Sequence, residues 1–170
     1  MLTPVLLIAL IAGTDLCIKE EIEARDSSEF PKELKGSKGL ITLHKSHNTG
    51  FPFEVLKNRP ELVRAIPVVV MSGLAGILGF LTPKKGYWVE KAMLVLTLGG
   101  ALSNLYDRIT RKYVVDYFSI NVGWLKNIIF NLGDMAIFAG AGLAVFGQMF
   151  RDLFRAVLRK KDVKGGRRSH

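Results

Sequence analysis

A single cysteine, Cys17, in a chain of 170 residues leaves nothing for an intramolecular disulfide to join. It is read as a packing residue. Histidine is almost as scarce: His44 and His47 lie close together, but the segment around them reads as an exposed strand and turn, with no third histidine or cysteine beside them. Neither a metal nor a cofactor is expected from such a set. The chain has no Gly-x-Ser-x-Gly elbow, no phosphate loop and no His-Glu-x-x-His run, so hydrolases of those designs have no support in it. The first apolar run lacks the basic flank of a cleavable signal peptide, and Thr14-Asp15-Leu16-Cys17 lacks the small residues a cleavage site needs. It is expected to be a retained helix.

What is abundant is apolar and segregated. Hydrophobic residues make up 49% of the chain and charged residues 23%, and the two fall in separate blocks, the pattern of a polytopic membrane protein. Four stretches approach the roughly 20 apolar residues that cross a bilayer: Leu2 to Ile18, Leu62 to Leu81, Tyr87 to Asn104, and Leu132 to Phe150. The expected fold is therefore mainly α, an integral membrane domain of four transmembrane helices over residues 1–150, followed by a basic tail over 151–170.

The net charge of +9 does not point to nucleic acid. Arg151, Arg155, Arg159, Lys160, Lys161, Lys164, Arg167 and Arg168 crowd the tail, and Lys84, Lys85 and Lys91 flank the turn between the second and third apolar runs. The positive-inside bias puts both segments in the cytoplasm, and both termini with them. The loop 19–61 balances its acids and bases and suits the outer face. Tyr87 and Trp88 add an aromatic anchor, and the amphipathic start of the tail, Leu153, Phe154, Val157 and Leu158 against its arginines, fixes orientation at the membrane lipids.

Against this background two acids stand out: Asp116, in Tyr113-Val-Val-Asp-Tyr-Phe118, and Asp134, at the head of the last apolar run. Carboxylates at hydrocarbon depth are costly and mark working sites. Topology places Asp107, Asp116 and Asp134 on the side away from the basic tail, where Asp15, Lys19 and Asn48 also fall. Residues three and four apart share a helix face, so Gly100, Asn104, Asp107 and Arg108 form one stripe, Asn131 and Asp134 a second, and Asp15 with Lys19 a third. Such stripes also serve as interhelical hydrogen-bond networks. Asp116 and Asp134 have no adjacent basic residue to neutralise them. Two carboxylates that share a proton can take one from water and give one to a carbonyl, which is the chemistry of peptide hydrolysis.

Gly99-Gly-Ala-Leu-Ser-Asn-Leu-Tyr-Asp-Arg108, then Val114-Val-Asp116, then Phe130-Asn-Leu-Gly-Asp134, resembles the signature of the bacterial lipoprotein signal peptidases, or signal peptidase II. Asp15 with Lys19 resembles the family's first-helix pattern, and Asn48-Thr-Gly50 its Asn-x-Gly element. The resemblance implies an aspartyl endopeptidase of the bacterial inner membrane, working near the outer leaflet. It removes signal peptides from prolipoproteins, just before a diacylglyceryl-modified cysteine. Asp116 and Asp134 match its catalytic pair. Asn104, Asp107, Arg108 and Asn131 match residues that shape the site, and Asn48, Gly100, Asp15 and Lys19 further motif positions. The substrate is the one protein partner expected, and the chain is read as a monomer. Ser103 stands where the family usually has glycine, Gly133 where it has alanine, Leu16 where it has glutamine, and Phe51-Pro52 where it has small residues.

Two other readings compete. A small transporter or channel subunit would use Asp15, Asp107, Asp116 and Asp134 to relay cations and would spread acids through the membrane depth. A catalytically silent scaffold would keep the fold and bind precursors only, with Ser103 and Gly133 distorting the pair.

Finer structure is expected outside the bilayer. Leu40-Ile-Thr-Leu-His44 and Tyr113 to Val122 have the β-branched and aromatic content of short strands, and the resemblance implies a small extracytoplasmic sheet that cradles the substrate. Residues 20–38 read as charge-rich and mobile. Glycines 73, 76, 79, 99, 100, 140 and 142 are expected to allow close helix approach, with Ser72 and Gly76 a small-xxx-small pair.

Overall fold

The computed structural model describes residues 2–50 and 58–165, with side chains described as far as 149. Phe51-Pro52 and the side chains of the basic tail lie outside the described residues. Four long helices and a three-stranded antiparallel sheet make up the described chain: α1 (Leu2–Ala24), β1 (Lys32–Glu33), β2 (Ile41–Asn48), α2 (Pro60–Leu81), α3 (Trp88–Thr110), β3 (Val114–Ile120) and α4 (Leu132–Gly165). Short 3-10 turns at Ser27–Glu29 and Gly123–Asn127 complete it.

Three of the helices are long and apolar enough to cross a membrane: Leu2–Ala24, Pro60–Leu81 and the Leu132–Met149 part of α4. Their outer faces stay apolar, as Leu6, Leu10, Val69, Phe80 and Phe146 show, each more than half exposed in the isolated chain. A face of that kind needs lipid to cover it. The exception is α3, which carries Glu90, Lys91, Asn104, Asp107 and Arg108. It can do so because it is the central helix. Leu94, Val95, Leu98, Ser103, Asn104 and Asp107 are all buried, and α1, α2 and α4 pack around it. Leu94, Val95 and Leu98 meet Leu78 of α2 in one apolar cluster, with Ile8 and Ile11 of α1 against it.

α1 runs past the expected end at Ile18 to Ala24 and buries Ala12, Asp15, Lys19 and Ile22, one face at helical spacing. The added turns place Lys19 and Ile22 beneath the sheet, where Ile22 packs on Val115 and Tyr117. Part of the segment expected to be mobile is thus ordered as helix, 3-10 turn and strand, and β1 pairs with β2 through Lys32 and Leu43. Alternation misses so short a strand. β2 pairs with β3 from Ile41 and Ile120 to Asn48 and Val114, with an irregularity between Leu43 and Ser46 that sets Ser46 opposite Asp116. The sheet is fastened to the end of α1. The Lys45 ammonium donates to the carbonyls of Glu23 and Arg25, each at 2.9 Å, and so caps orphan carbonyls of that helix.

The glycines divide. Gly73, Gly76, Gly79 and Gly142 have open space where a Cβ would stand, so none of them makes a close helix approach within the described chain, and the Ser72 hydroxyl donates to Val68 of its own helix. The reason is rotation: α2 turns Met71, Leu74 and Leu78 towards its neighbours instead. Gly100 differs. A Cβ there would overlap the Gly133 carbonyl oxygen, so α3 and α4 touch backbone to backbone at this level. Gly100→Ala is expected to destabilise by roughly 1–3 kcal/mol as an overpacked contact, whereas Gly76→Ala is expected to leave the melting temperature unchanged. Thermal unfolding of the two variants in one detergent checks this, and equal melting temperatures would refute the close contact.

Candidate active site

The close approach at Gly100 carries the next turn of α3 to the start of α4, and the polar residues collect there. Asn131 is the N-cap of α4. Its side-chain oxygen accepts from the Asp134 backbone N–H at 2.8 Å, while the Asp134 carboxylate accepts from the Asn131 backbone N–H at 3.2 Å. This is a reciprocal capping box. The amide nitrogen of the same Asn131 donates to Asp116 Oδ1 at 2.7 Å, so one asparagine holds both acids. Each takes a further amide: Asn48 donates to Asp116 Oδ2 at 3.2 Å, and Asn104 to Asp134 Oδ1 at 2.9 Å. Asn48 is itself held by the Gly50 N–H at 3.0 Å.

Asp116 lies on β3, outside the helices, and its carboxyl is pushed up to about 7. Burial is the main cause and the Asp134 charge the second, opposed by the hydrogen bonds from Asn48 and Asn131. Near neutral pH this carboxyl is therefore about half protonated. Asp116 thus feels the Asp134 charge on top of its own burial.

Behind the pair lies a buried charged cluster. Lys19, fully buried, places its ammonium 2.8 Å from Asp15, 3.1 Å from Asp107, 2.8 Å from Asn104 Oδ1 and 3.1 Å from Ser103 Oγ. Asp15 accepts from the Ser103 hydroxyl at 2.5 Å, from the Tyr117 hydroxyl at 2.9 Å and from the Leu132 N–H at 3.0 Å. That N–H belongs to the first residue of α4, so the acid also faces the positive end of the helix dipole. Burial and the Asp15 carboxylate push the Tyr117 hydroxyl far above the usual phenol range, which keeps its proton available to donate.

All ten site residues expected from the sequence gather at this one end of the bundle. Asp107 does not pair with its neighbour Arg108, because adjacent helix positions point about 100° apart. Its partners are Lys19, Arg111 and the Val115 N–H at 3.1 Å. Arg108 instead donates to the Gly50 carbonyl at 3.1 Å and the Asn104 carbonyl at 3.3 Å. The acids are also not without basic company: the Arg108 guanidinium lies within electrostatic reach of Asp134, Asp116 and Asp107. Sequence spacing could not reveal this, since the contact depends on the α3–α4 approach. Tyr117 was missed as a site residue; its signal is its place beside Asp116 in a strand, where alternation points it at the opposite face, towards Asp15. His44 and His47 take other partners. His44 bonds Ser119 at 2.9 Å, while His47 bonds Glu23 at 2.7 Å and stacks on Tyr113.

The chain is similar to known proteins over much of its length. A lipoprotein signal peptidase of Teredinibacter turnerae is 36% identical over 106 residues, 61% of this chain and 63% of that protein, so the matched stretch falls short of two thirds of its length. One of Xanthomonas axonopodis pv. citri is 30% identical over 145 residues, 84% of this chain and 83% of its own. The fold is that of a solved bacterial membrane enzyme, determined by the in meso method, with a TM-score of 0.73 at 19% identity over 88% of both chains. A second such structure matches with the same TM-score over 93% of its length. The pattern that defines the Signal peptidase (SPase) II family matches residues 7–150. The chain belongs to the signal peptidase II family of membrane proteases.

Proposed function

We propose that the chain is an aspartyl endopeptidase in which Asp116 and Asp134 hydrolyse one peptide bond between them. Removal of signal peptides from prolipoproteins is the activity that family membership carries. The observation that supports the aspartyl mechanism is the shared anchor: Asn131 binds both acids, and Asp116 is held near half protonation. The ionised member takes a proton from water, whose oxygen attacks the scissile carbonyl carbon. The protonated member gives its proton to the carbonyl oxygen. Collapse of the tetrahedral intermediate breaks the C–N bond as the amine leaves with a proton. The scissile bond is the one before a diacylglyceryl-modified cysteine.

The membrane arrangement is part of the proposal. Four helices span, with α3 shielded by the other three, and both termini face the cytoplasm. Asn104 and Asp107 lie at the end of α3 far from the turn that carries Lys84 and Lys85, which supports a site near the outer leaflet with the sheet cradling the substrate. Asp15, Asp107, Asp116 and Asp134 are gathered at one end, not spread through the depth, so a conduction path is not favoured. Ser103 and Gly133 fit without opening the pair, which speaks against a silent scaffold.

The test is hydrolysis of a diacylglyceryl-modified precursor by purified protein across pH. The pair must hold one proton, and Asp116 releases its proton near pH 7. The expected kcat/KM therefore falls as pH rises through about 7, because above it both carboxylates are charged and the general acid is lost. A profile flat from about pH 6 to about pH 9, or no cleavage at all, would overturn the mechanism.

A further inference from the structure

Ser103 is fully buried on α3 and touches both members of the central ion pair. Its geometry fixes the direction of each bond. The Ser103 hydroxyl donates to Asp15 Oδ2 at 2.5 Å, which leaves its lone pairs to accept from Lys19 at 3.1 Å. The ammonium has three hydrogens and four oxygens within 3.1 Å. Two of those oxygens are carboxylates, whose charge draws the ammonium towards them and away from the neutral Asn104 oxygen. Ser103 screens one of these, Asp15, by donating to it, which weakens its pull on the ammonium.

Asn104 is where that matters. Its amide oxygen is held by Lys19 at 2.8 Å, so its NH2 must turn the other way, and there it donates to Asp134 Oδ1 at 2.9 Å. We propose that Ser103 is a positioning residue for catalysis: by seating the Lys19 ammonium on the Asn104 oxygen it fixes the Asn104 amide that orients Asp134. This rests on the reading of Asp134 as one of the catalytic pair. Ser103 touches no reacting atom, and its influence passes along the chain Ser103, Lys19, Asn104, Asp134.

A double-mutant cycle separates this from plain packing. Ser103→Ala is expected to lower kcat roughly three- to tenfold, the scale of one hydrogen bond, with KM for a lipidated precursor within about twofold of the parent. In an Asn104→Ala background the same change is expected to cost nothing further, because the relay is already cut. Ser103→Gly is run in parallel and is expected to behave like Ser103→Ala. A parent-like kcat for Ser103→Ala, or losses that multiply in the double variant, would overturn the proposal. So would failure of both single variants to accumulate folded, which would make the hydroxyl a structural group. Asp134→Asn separates the two levels: if it is inactive while Ser103→Ala is parent-like, the catalytic pair stands and the positioning role falls. If Asp134→Asn cleaves normally, both fall.

Discussion

Asp116→Asn is expected to abolish cleavage of a lipidated precursor and at the same time to raise the melting temperature at pH 8. The loss of activity is expected to reach at least about 10²–10⁴-fold, the contribution of a positioned general acid or base. The gain in stability follows from linkage. In the folded protein the Asp116 carboxyl is raised to about 7 from an ordinary value of 3.8, so between those values the folded state holds a proton that the unfolded chain has released. Stability is lost as pH rises through that window, and above it the whole penalty is present, about 4 kcal/mol at most for a shift of this size. Asparagine removes the charge but turns an NH2 towards the Asn131 or Asn48 donor, which returns part of the gain. A net rise of a few degrees at pH 8, shrinking to nothing near pH 4, is expected. Asp134→Asn is expected to be equally inactive yet no more stable, because its carboxylate closes the capping box on Asn131 and accepts from Asn104. Activity assays and melting curves of both variants at two pH values check this, and turnover near the parent rate by either one would refute the pair.

That contrast between two acids in one site shows what the sequence made legible and what it did not. The stripes Asn104 with Asp107 and Asp15 with Lys19 follow from helical spacing alone, and the residues are buried as that spacing requires. The strand content of Tyr113 to Val122 located β3, which delivers Asp116. Asn131 and Asp134 also share a face by helical spacing, but the capping box they close at the start of α4 is visible only in the structure. What spacing cannot supply is rotation between elements. Which face of α3 meets α4 is decided at Gly100 and Gly133, where only backbone separates the helices, and that contact sets Asn104 against Asp134. The same limit explains the glycines of α2, whose small-residue pattern suits a packing face while the apolar side chains Leu74 and Leu78 do the packing. It also explains Tyr117, whose hydroxyl reaches across the interior to Asp15, far away in the chain.

Lys19→Met is expected to be the most destabilising single change among the site residues. Among the described residues the ammonium is the one charged group that touches both Asp15 and Asp107, and all three side chains are fully buried. Methionine nearly matches the volume, so the loss is electrostatic: Asp15 keeps Ser103, Tyr117 and the Leu132 N–H, and Asp107 keeps Arg111 and the Val115 N–H, but the ion that balances them is gone. Removing one partner of a buried pair costs about 3–5 kcal/mol, which in a chain of this size lowers the melting temperature by roughly 6–20 °C. Arg25→Ala supplies the contrast. Its pair with Glu21 has the same i,i+4 spacing, but the side chains are 40% and 65% exposed, and solvent screens such a pair, so little change in melting temperature is expected. Equal melting temperatures for the two variants would show that the Lys19 cluster carries no more weight than a surface ion pair. Because the same ammonium also holds the Asn104 oxygen while the Asn104 amide donates to Asp134, Lys19→Met is expected to lose activity as well under conditions where it remains folded.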